Sequence, residues 1–382
     1  MKILIISNYY PPHFKGGYEL SCYEVTTYLY EQGEDVLVLC GDYLKNEPDN
    51  RSNYRVVRKL KYIDYLSDDY WNKSKVEKDN YEMTTRILDE FEPDFVYFWN
   101  QQYLSLAPYW AVKRRKIAHV FDIGDVWPLK YYREGFKAKV KSFIKRLLPN
   151  FRDAKMEVNP VIILSEWMRP LFVEKFGSKE IYNIPRGVKL KEDLQINSKA
   201  DDIKLMFAGR IEPLKGLELI INVLSGLQAY KWTLDVYGDG DEDYLERIKL
   251  LITEKSLGQR VILKGKLYPL DEAYQTHDVF LFPTLAKEGF GRVAIEAMSY
   301  GLPVLTVNKY GPNDIVEDGY NGYKASPSDL SAWANNLKQI LSDKDLLIKM
   351  SNNALETVKN KYDIELINKQ RYDIIKDIYY SK

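Results

Sequence analysis

Residues 282–304 read FPTLAKEGFGRVAIEAMSYGLPV, and they follow an apolar run at 278–283, DVFLFP. A short apolar run of this kind that ends in proline reads as a buried strand. The chain then passes through a glycine-bearing turn, Glu288-Gly289-Phe290-Gly291, into a helical pattern from about Arg292 to Tyr300. Strand, turn and helix in that order belong to a parallel sheet covered by helices. The first N–H groups of such a helix lack intrahelical partners and favour an oxyanion or a hydroxyl-rich ligand above them. Glu288 in the turn and Glu296 on the helix can both face that ligand, because residues at helical spacing share a side. Carboxylates accept hydrogen bonds, so a sugar ring or a ribose is the natural partner. The plain alternative is an ordinary strand–turn–helix unit with two incidental glutamates.

Working outward, short apolar runs alternate with helical stretches along the whole chain. In the first half they fall at 3–6, 36–39, 95–98, 117–121 and 161–164; in the second half they fall at 203–207, 234–237, 261–263, 279–282 and 303–307. This alternation predicts α/β architecture with two doubly wound parallel sheets. The series pauses at 189–202 (KLKEDLQINSKADD), a polar stretch without aromatics that reads as a linker. The tail from about Asp363 is helical in pattern. Ligands of open parallel sheets sit beyond the carboxyl ends of the strands, so the loops there are where chemistry is expected.

At 382 residues the chain is long enough for two ordinary domains, and 45% hydrophobic with 29% charged residues suits a globular enzyme. The formal net charge of zero argues against nucleic acid as a partner of the whole molecule. Two cysteines, Cys22 and Cys40, make neither a disulfide framework nor a zinc site. The apolar N-terminal run, 1–7, is too short for a secretory signal and reads as a first strand. No run approaches the roughly 20 apolar residues that span a bilayer. A cytoplasmic protein is expected.

The E-x7-E pattern of Glu288 and Glu296, with its flanking FP, GFG, EAM and GLPV pieces, resembles the signature of family 4-like, nucleotide-sugar-dependent retaining glycosyltransferases. That resemblance implies the GT-B fold: two facing Rossmann-like domains, here 1–190 for the acceptor and 191–362 for the nucleotide sugar. It also implies that the last helix, 363–382, crosses back to pack on the N-terminal domain. By the same resemblance Glu288, Phe290 and Gly291 hold the donor sugar, and Glu296 holds the ribose. The stretch FAGRIEPLKG at 207–216 matches the family's G-R-x-x-x-x-K-G, which implies that Arg210 and Lys215 bind the donor diphosphate. Fixed cations there stabilise a leaving diphosphate more in the transition state than in the ground state. A solvated basic loop is the alternative.

Strand one runs into 7–17, SNYYPPHFKGG, and the family places this glycine loop, Gly16-Gly17, beside the donor phosphates and acceptor; a plain turn is the other reading. The segment IAHVFDIGDVWP at 117–128 lies where many relatives carry His-Asp. The best register puts Gly124-Asp125 there and another puts Phe121-Asp122 there, so the histidine is missing in both. Asp125 is kept as a catalytic candidate with Glu288, Asp122 is the alternative, and a helix-capping role for the aspartate stays open. Gly238, in YGDGDED at 237–243, matches the family's glycine turn, and the resemblance counts it with the donor-binding residues; the acidic run invites a metal but suits a helix start through its dipole. No metal and no cofactor are expected beyond the nucleotide-sugar co-substrate. The run YGPNDIVEDG at 310–319 stands in the place of another glycine turn.

Residues 130–155 hold nine basic residues against two acidic ones, with apolar residues at helical spacing. Such a helix can lie on an anionic membrane on the inner face of the plasma membrane, or it can be an ordinary surface helix. Together these readings give a retaining glycosyltransferase that moves a hexosyl group from a UDP- or GDP-sugar to a glycan or lipid-linked acceptor in cell-surface polysaccharide biosynthesis. With no secure carboxylate nucleophile, front-face attack aided by the leaving diphosphate fits best. The rivals are a catalytically silent sugar-nucleotide-binding partner and a nucleotide-sugar epimerase.

Overall fold

A computed structural model of the protein describes residues 1–43, 52–63, 69–132, 156–191, 194 and 202–381. Its described residues hold two sheets with every neighbouring pair of strands parallel. The first contains β1 (Lys2–Ser7), β2 (Asp35–Gly41), β3 (Arg55–Leu60), β4 (Phe95–Phe98), β5 (Ala118–Ile123), β6 (Val161–Ile163) and β7 (Ile181–Asn183), in the order β3-β2-β1-β4-β5-β6-β7. The second contains β8 (Ile203–Ala208), β9 (Trp232–Tyr237), β10 (Val261–Gly265), β11 (Val279–Phe282), β12 (Val304–Val307) and β13 (Gly322–Ala325), in the order β10-β9-β8-β11-β12-β13. Strand order therefore reverses between β1 and β4 in one sheet and between β8 and β11 in the other. These are the switch points at which open α/β sheets bind ligands.

The central strands are continuous apolar runs because helices cover both of their faces. Ile3, Leu4, Ile5 and Ile6 of β1 are fully buried, as are Phe95, Val96, Tyr97 and Phe98 of β4. In the second sheet the helix Leu217–Ser225 buries Leu217, Ile220, Ile221 and Leu224 on one side, at the three-and-four spacing of an amphipathic helix. These residues pack with Leu205, Phe207, Leu234, Trp333 and Leu347.

Met1–Pro185 with Asn368–Lys382 form one unit, and Arg186–Ile367 form the other. The last helix, Ile364–Tyr380, starts in the second unit. There Ile364 N donates to Val188 O at 3.1 Å, and a Cβ on Gly187 would lie 2.7 Å from Ile364 Cα. From Asn368 onward its residues belong to the first unit. The anchor is Arg371, fully buried, whose Nε donates to Asp122 Oδ2 at 2.9 Å and whose Nη2 donates to the carbonyls of Ile184 and Pro185 at 3.1 and 2.9 Å. Tyr97 OH donates to the same Asp122 oxygen at 2.8 Å. Asp122, the alternative cleft residue in the sequence, is thus a fully buried structural group, because strand β5 points it inward at Arg371.

Of the linker stretch, only 189–191, 194 and 202 are described; of the basic segment, only 130–132, so its helical and membrane readings lie outside the described residues. Among the described residues no helix is long and apolar enough to cross a membrane.

Candidate active site

In the second unit the loops after β8 and β11 flank the switch point, and the chain ties them together through backbone. Leu214 O accepts from Leu285 N at 2.7 Å and from Ala286 N at 3.1 Å. Gly216 has φ +75°, and a Cβ there would lie 2.1 Å from Pro283 O, so this close approach requires glycine. The tie sets Lys215 Nζ against Glu288 Oε1 as a largely buried ion pair. Thr284, itself buried, donates Oγ1 to the same Glu288 oxygen at 3.1 Å. A cation and a hydroxyl therefore fix the carboxylate's orientation.

The turn beyond Glu288 is held from below. Phe290 is buried with its ring edge-on to Tyr362, the centroids 5.6 Å apart. Gly291 has φ +113° and opens the helix Arg292–Met298 without a side-chain cap. Gly311 N donates to Glu288 O at 3.2 Å, and a Cβ on Gly311 would lie 2.4 Å from Phe290 Cα and 2.6 Å from its N and O. The 310–319 run thus begins as a short helix, Tyr310–Ile315, that seats the Glu288–Gly291 turn. Glu296 accepts from Arg292 Nε at 2.8 Å one turn earlier on its helix. Burial, with the charges of Glu296 and Asp271 nearby, pushes the Tyr274 phenol well up, so it stands beside Glu296 as a neutral group.

Arg210 lies on the loop after β8 but is three-quarters exposed, with Nη1 at 3.1 Å from Glu212, and the structure does not join it to the Lys215–Glu288 pair. Gly238 serves a close approach of two loops: a Cβ there would lie 1.8 Å from Gly209 O, and Ile211 N donates to Asp239 O at 2.8 Å. Of the acidic run, Asp241 caps the helix Glu242–Glu254 by accepting from Asp243 N at 3.1 Å.

In the first unit, Gly16 and Gly17 open the helix Gly17–Glu31 after β1. The amides of Lys15 and Gly16 donate to Glu19 Oε2 at 3.2 and 3.1 Å, so Glu19 already occupies two N–H groups of this loop. Burial raises the Glu19 carboxyl, with a smaller push from the charge of Asp125. Asp125 is itself raised by burial, and its Oδ1 accepts from Trp127 N at 2.6 Å, which caps the turn Trp127–Tyr131. Sequence reasoning did not pick out Thr284, Arg292 or Tyr274, and it read Gly311 only as part of the glycine turn at 310–319.

Residues 15–192 match the family model of Glycosyltransferase Family 4, and residues 189–357 match that of Glycosyl transferases group 1. The chain belongs to the family 4-like glycosyl transferases of group 1. An uncharacterized glycosyltransferase of Methanocaldococcus jannaschii is 24% identical to it over 98% of each chain. Lipopolysaccharide 1,2-N-acetylglucosaminetransferase of Salmonella typhimurium is 27% identical over 56% of this glycosyltransferase and 60% of its own length. Among solved structures, Anabaena HepE in complex with UDP and glucose superposes with a TM-score of 0.74 at 20% identity, covering 99% of this chain and all of that one. The two Rossmann-like domains are those of the GT-B fold expected from the sequence.

Proposed function

We propose that this glycosyltransferase moves a hexosyl group from a UDP- or GDP-sugar to a glycan or lipid-linked acceptor in cell-surface polysaccharide synthesis, with retention at the anomeric carbon. The observation that carries the reading is the Lys215–Glu288 pair, fixed by Thr284 between the loops of the β8/β11 switch point. Lys215 supplies a cation where a leaving diphosphate gains charge, and Arg210, on the same loop, has the freedom of an exposed side chain to join it. Glu288 and the Phe290-Gly291 turn accept and orient donor sugar hydroxyls, and Glu296 accepts from a ribose. In this mechanism the acceptor attacks on the face the diphosphate leaves, and a diphosphate oxygen takes its proton. Asp125 is kept as a catalytic candidate, and the Gly16-Gly17 loop is assigned to the donor, beside its phosphates and next to the acceptor. UDP is favoured by the UDP-bound HepE, and a lipopolysaccharide-type acceptor by the Salmonella relative. The protein is assigned to the cytoplasm, where residues 130–155 would meet an anionic membrane surface.

A thermal-shift panel of UDP, GDP and ADP with EDTA present tests the donor site. One nucleotide at about a hundred times its Kd is expected to stabilise the protein by about 2.7 kcal/mol, without metal. No shift with any of them contradicts the reading, and a shift without donor turnover favours the silent sugar-nucleotide binder. The seat under the donor turn gives a second expectation. Gly311→Ala forces the Phe290 backbone to move and should weaken nucleotide binding about tenfold, on the order of 1.4 kcal/mol. Unchanged affinity by titration would show that the turn is not part of the site.

A further inference from the structure

The loop after β8 carries two cations, and each is met by a carboxylate of this same chain. Arg210 Nη1 lies 3.1 Å from Glu212 Oε2, and Lys215 Nζ donates to Glu288 Oε1. The two pairs are not equal. The Arg210 side chain is 75% exposed and that of Glu212 32%, so water screens the pair and it holds Arg210 weakly. The Lys215 side chain is 17% exposed and that of Glu288 22%, and with less water around them the charges attract more strongly. Thr284 Oγ1 donates to the same Glu288 oxygen at 3.1 Å, which keeps the carboxylate turned toward the lysine. The backbone beneath both side chains is tied independently of them. Leu285 N donates to Leu214 O at 2.7 Å, and Glu288 N donates to Ala286 O at 2.8 Å. Lys215 and Glu288 can therefore change partners by side-chain rotation, with the loops left in place.

A nucleoside diphosphate and a nucleotide sugar meet this pair differently. The diphosphate alone draws Lys215 away and sets further negative charge beside a carboxylate that has lost its counter-ion. The intact nucleotide sugar brings the same charge, but it also brings hydroxyls that donate to Glu288 in exchange. We infer that Glu288 is a specificity-determining counter-ion that competes with free nucleoside diphosphate for Lys215. It yields to the hydroxyls of an intact donor and takes Lys215 back once the sugar has gone, so that the spent nucleotide is released. This role rests on the donor reading of the site above and adds to it a discrimination against the product.

The test is calorimetric titration of inorganic diphosphate, UDP and GDP into the full chain and its variants, with circular dichroism as the control for folding. Glu288→Gln keeps an acceptor for Thr284 and removes the charge. It is expected to bind the preferred nucleoside diphosphate about tenfold more tightly than the unaltered protein. Glu212→Gln, at the exposed pair, should gain about twofold at most. In a Lys215→Met background the Glu288→Gln change should gain less than about threefold, because simple repulsion is still relieved but no lysine is set free. Equal or weaker binding by Glu288→Gln overturns the inference. So does a full gain that survives Lys215→Met, which would assign the effect to repulsion alone. Nucleotide binding that Glu288→Gln leaves unaltered removes the counter-ion role and leaves the donor site standing. No binding of any of the three ligands, by the unaltered protein or any variant, removes the donor reading and this role with it.

Discussion

Replacing Lys215 by methionine is expected to lower sugar transfer about a thousandfold, the size of effect seen when a fixed donor of transition-state charge is removed. Lys215 is paired with Glu288 inside a loop tie made by backbone hydrogen bonds to Leu214 O, so the substitution leaves the tie intact. Folding should survive, with a loss on the order of 1–2 kcal/mol from the half-satisfied Glu288 carboxylate, which keeps its bond from Thr284. Glu288→Gln should cost a similar factor, and the two together little more than either alone, since residues acting as a unit are not additive. Turnover of a nucleotide sugar, with circular dichroism as the control for folding, checks all three. Full activity in both single variants would remove the pair from the site.

The largest effect on stability is expected at Arg371. Its guanidinium, fully buried, satisfies Asp122 and the carbonyls of Ile184 and Pro185. Arg371→Met strands the Asp122 carboxylate away from water and should cost about 3–5 kcal/mol. Adding Asp122→Asn to that variant should recover a substantial part, because the asparagine oxygen still accepts from Tyr97 OH while the buried charge is gone. Urea unfolding of the single and double variants measures the coupling directly. A loss under about 1 kcal/mol for Arg371→Met would mean that the charge pair does not hold the last helix to the first unit.

The central strands could be read from the chain because both of their faces are buried, which forces unbroken apolar runs such as Ile3–Ile6 and Val279–Phe282. The strands that escaped were β3, β7 and β13, and all three lie at sheet edges. An edge strand tolerates charge and needs few apolar residues, so RVVRKL at 55–60 and GYKA at 322–325 look like loops. Lys215 and Glu288 were visible through their motifs. Thr284 was not, because a threonine at the end of a strand has no distinguishing pattern until the fold shows its hydroxyl on Glu288. Asp122 and Asp125 could not be separated by register, since they differ only in which way β5 and its following turn direct them. The structure buries one carboxylate against Arg371 and sets the other as a cap on Trp127.

The most direct single measurement is proton NMR of the purified protein with UDP- and GDP-sugars in EDTA, following the anomeric signals as water takes the place of acceptor. Retaining cleavage at the Lys215–Glu288 site predicts release of nucleoside diphosphate together with free sugar that first appears in the donor's own α configuration, and neither from the Lys215→Met variant. A first-formed β anomer would contradict retention. No cleavage of any nucleotide sugar would contradict the transferase itself.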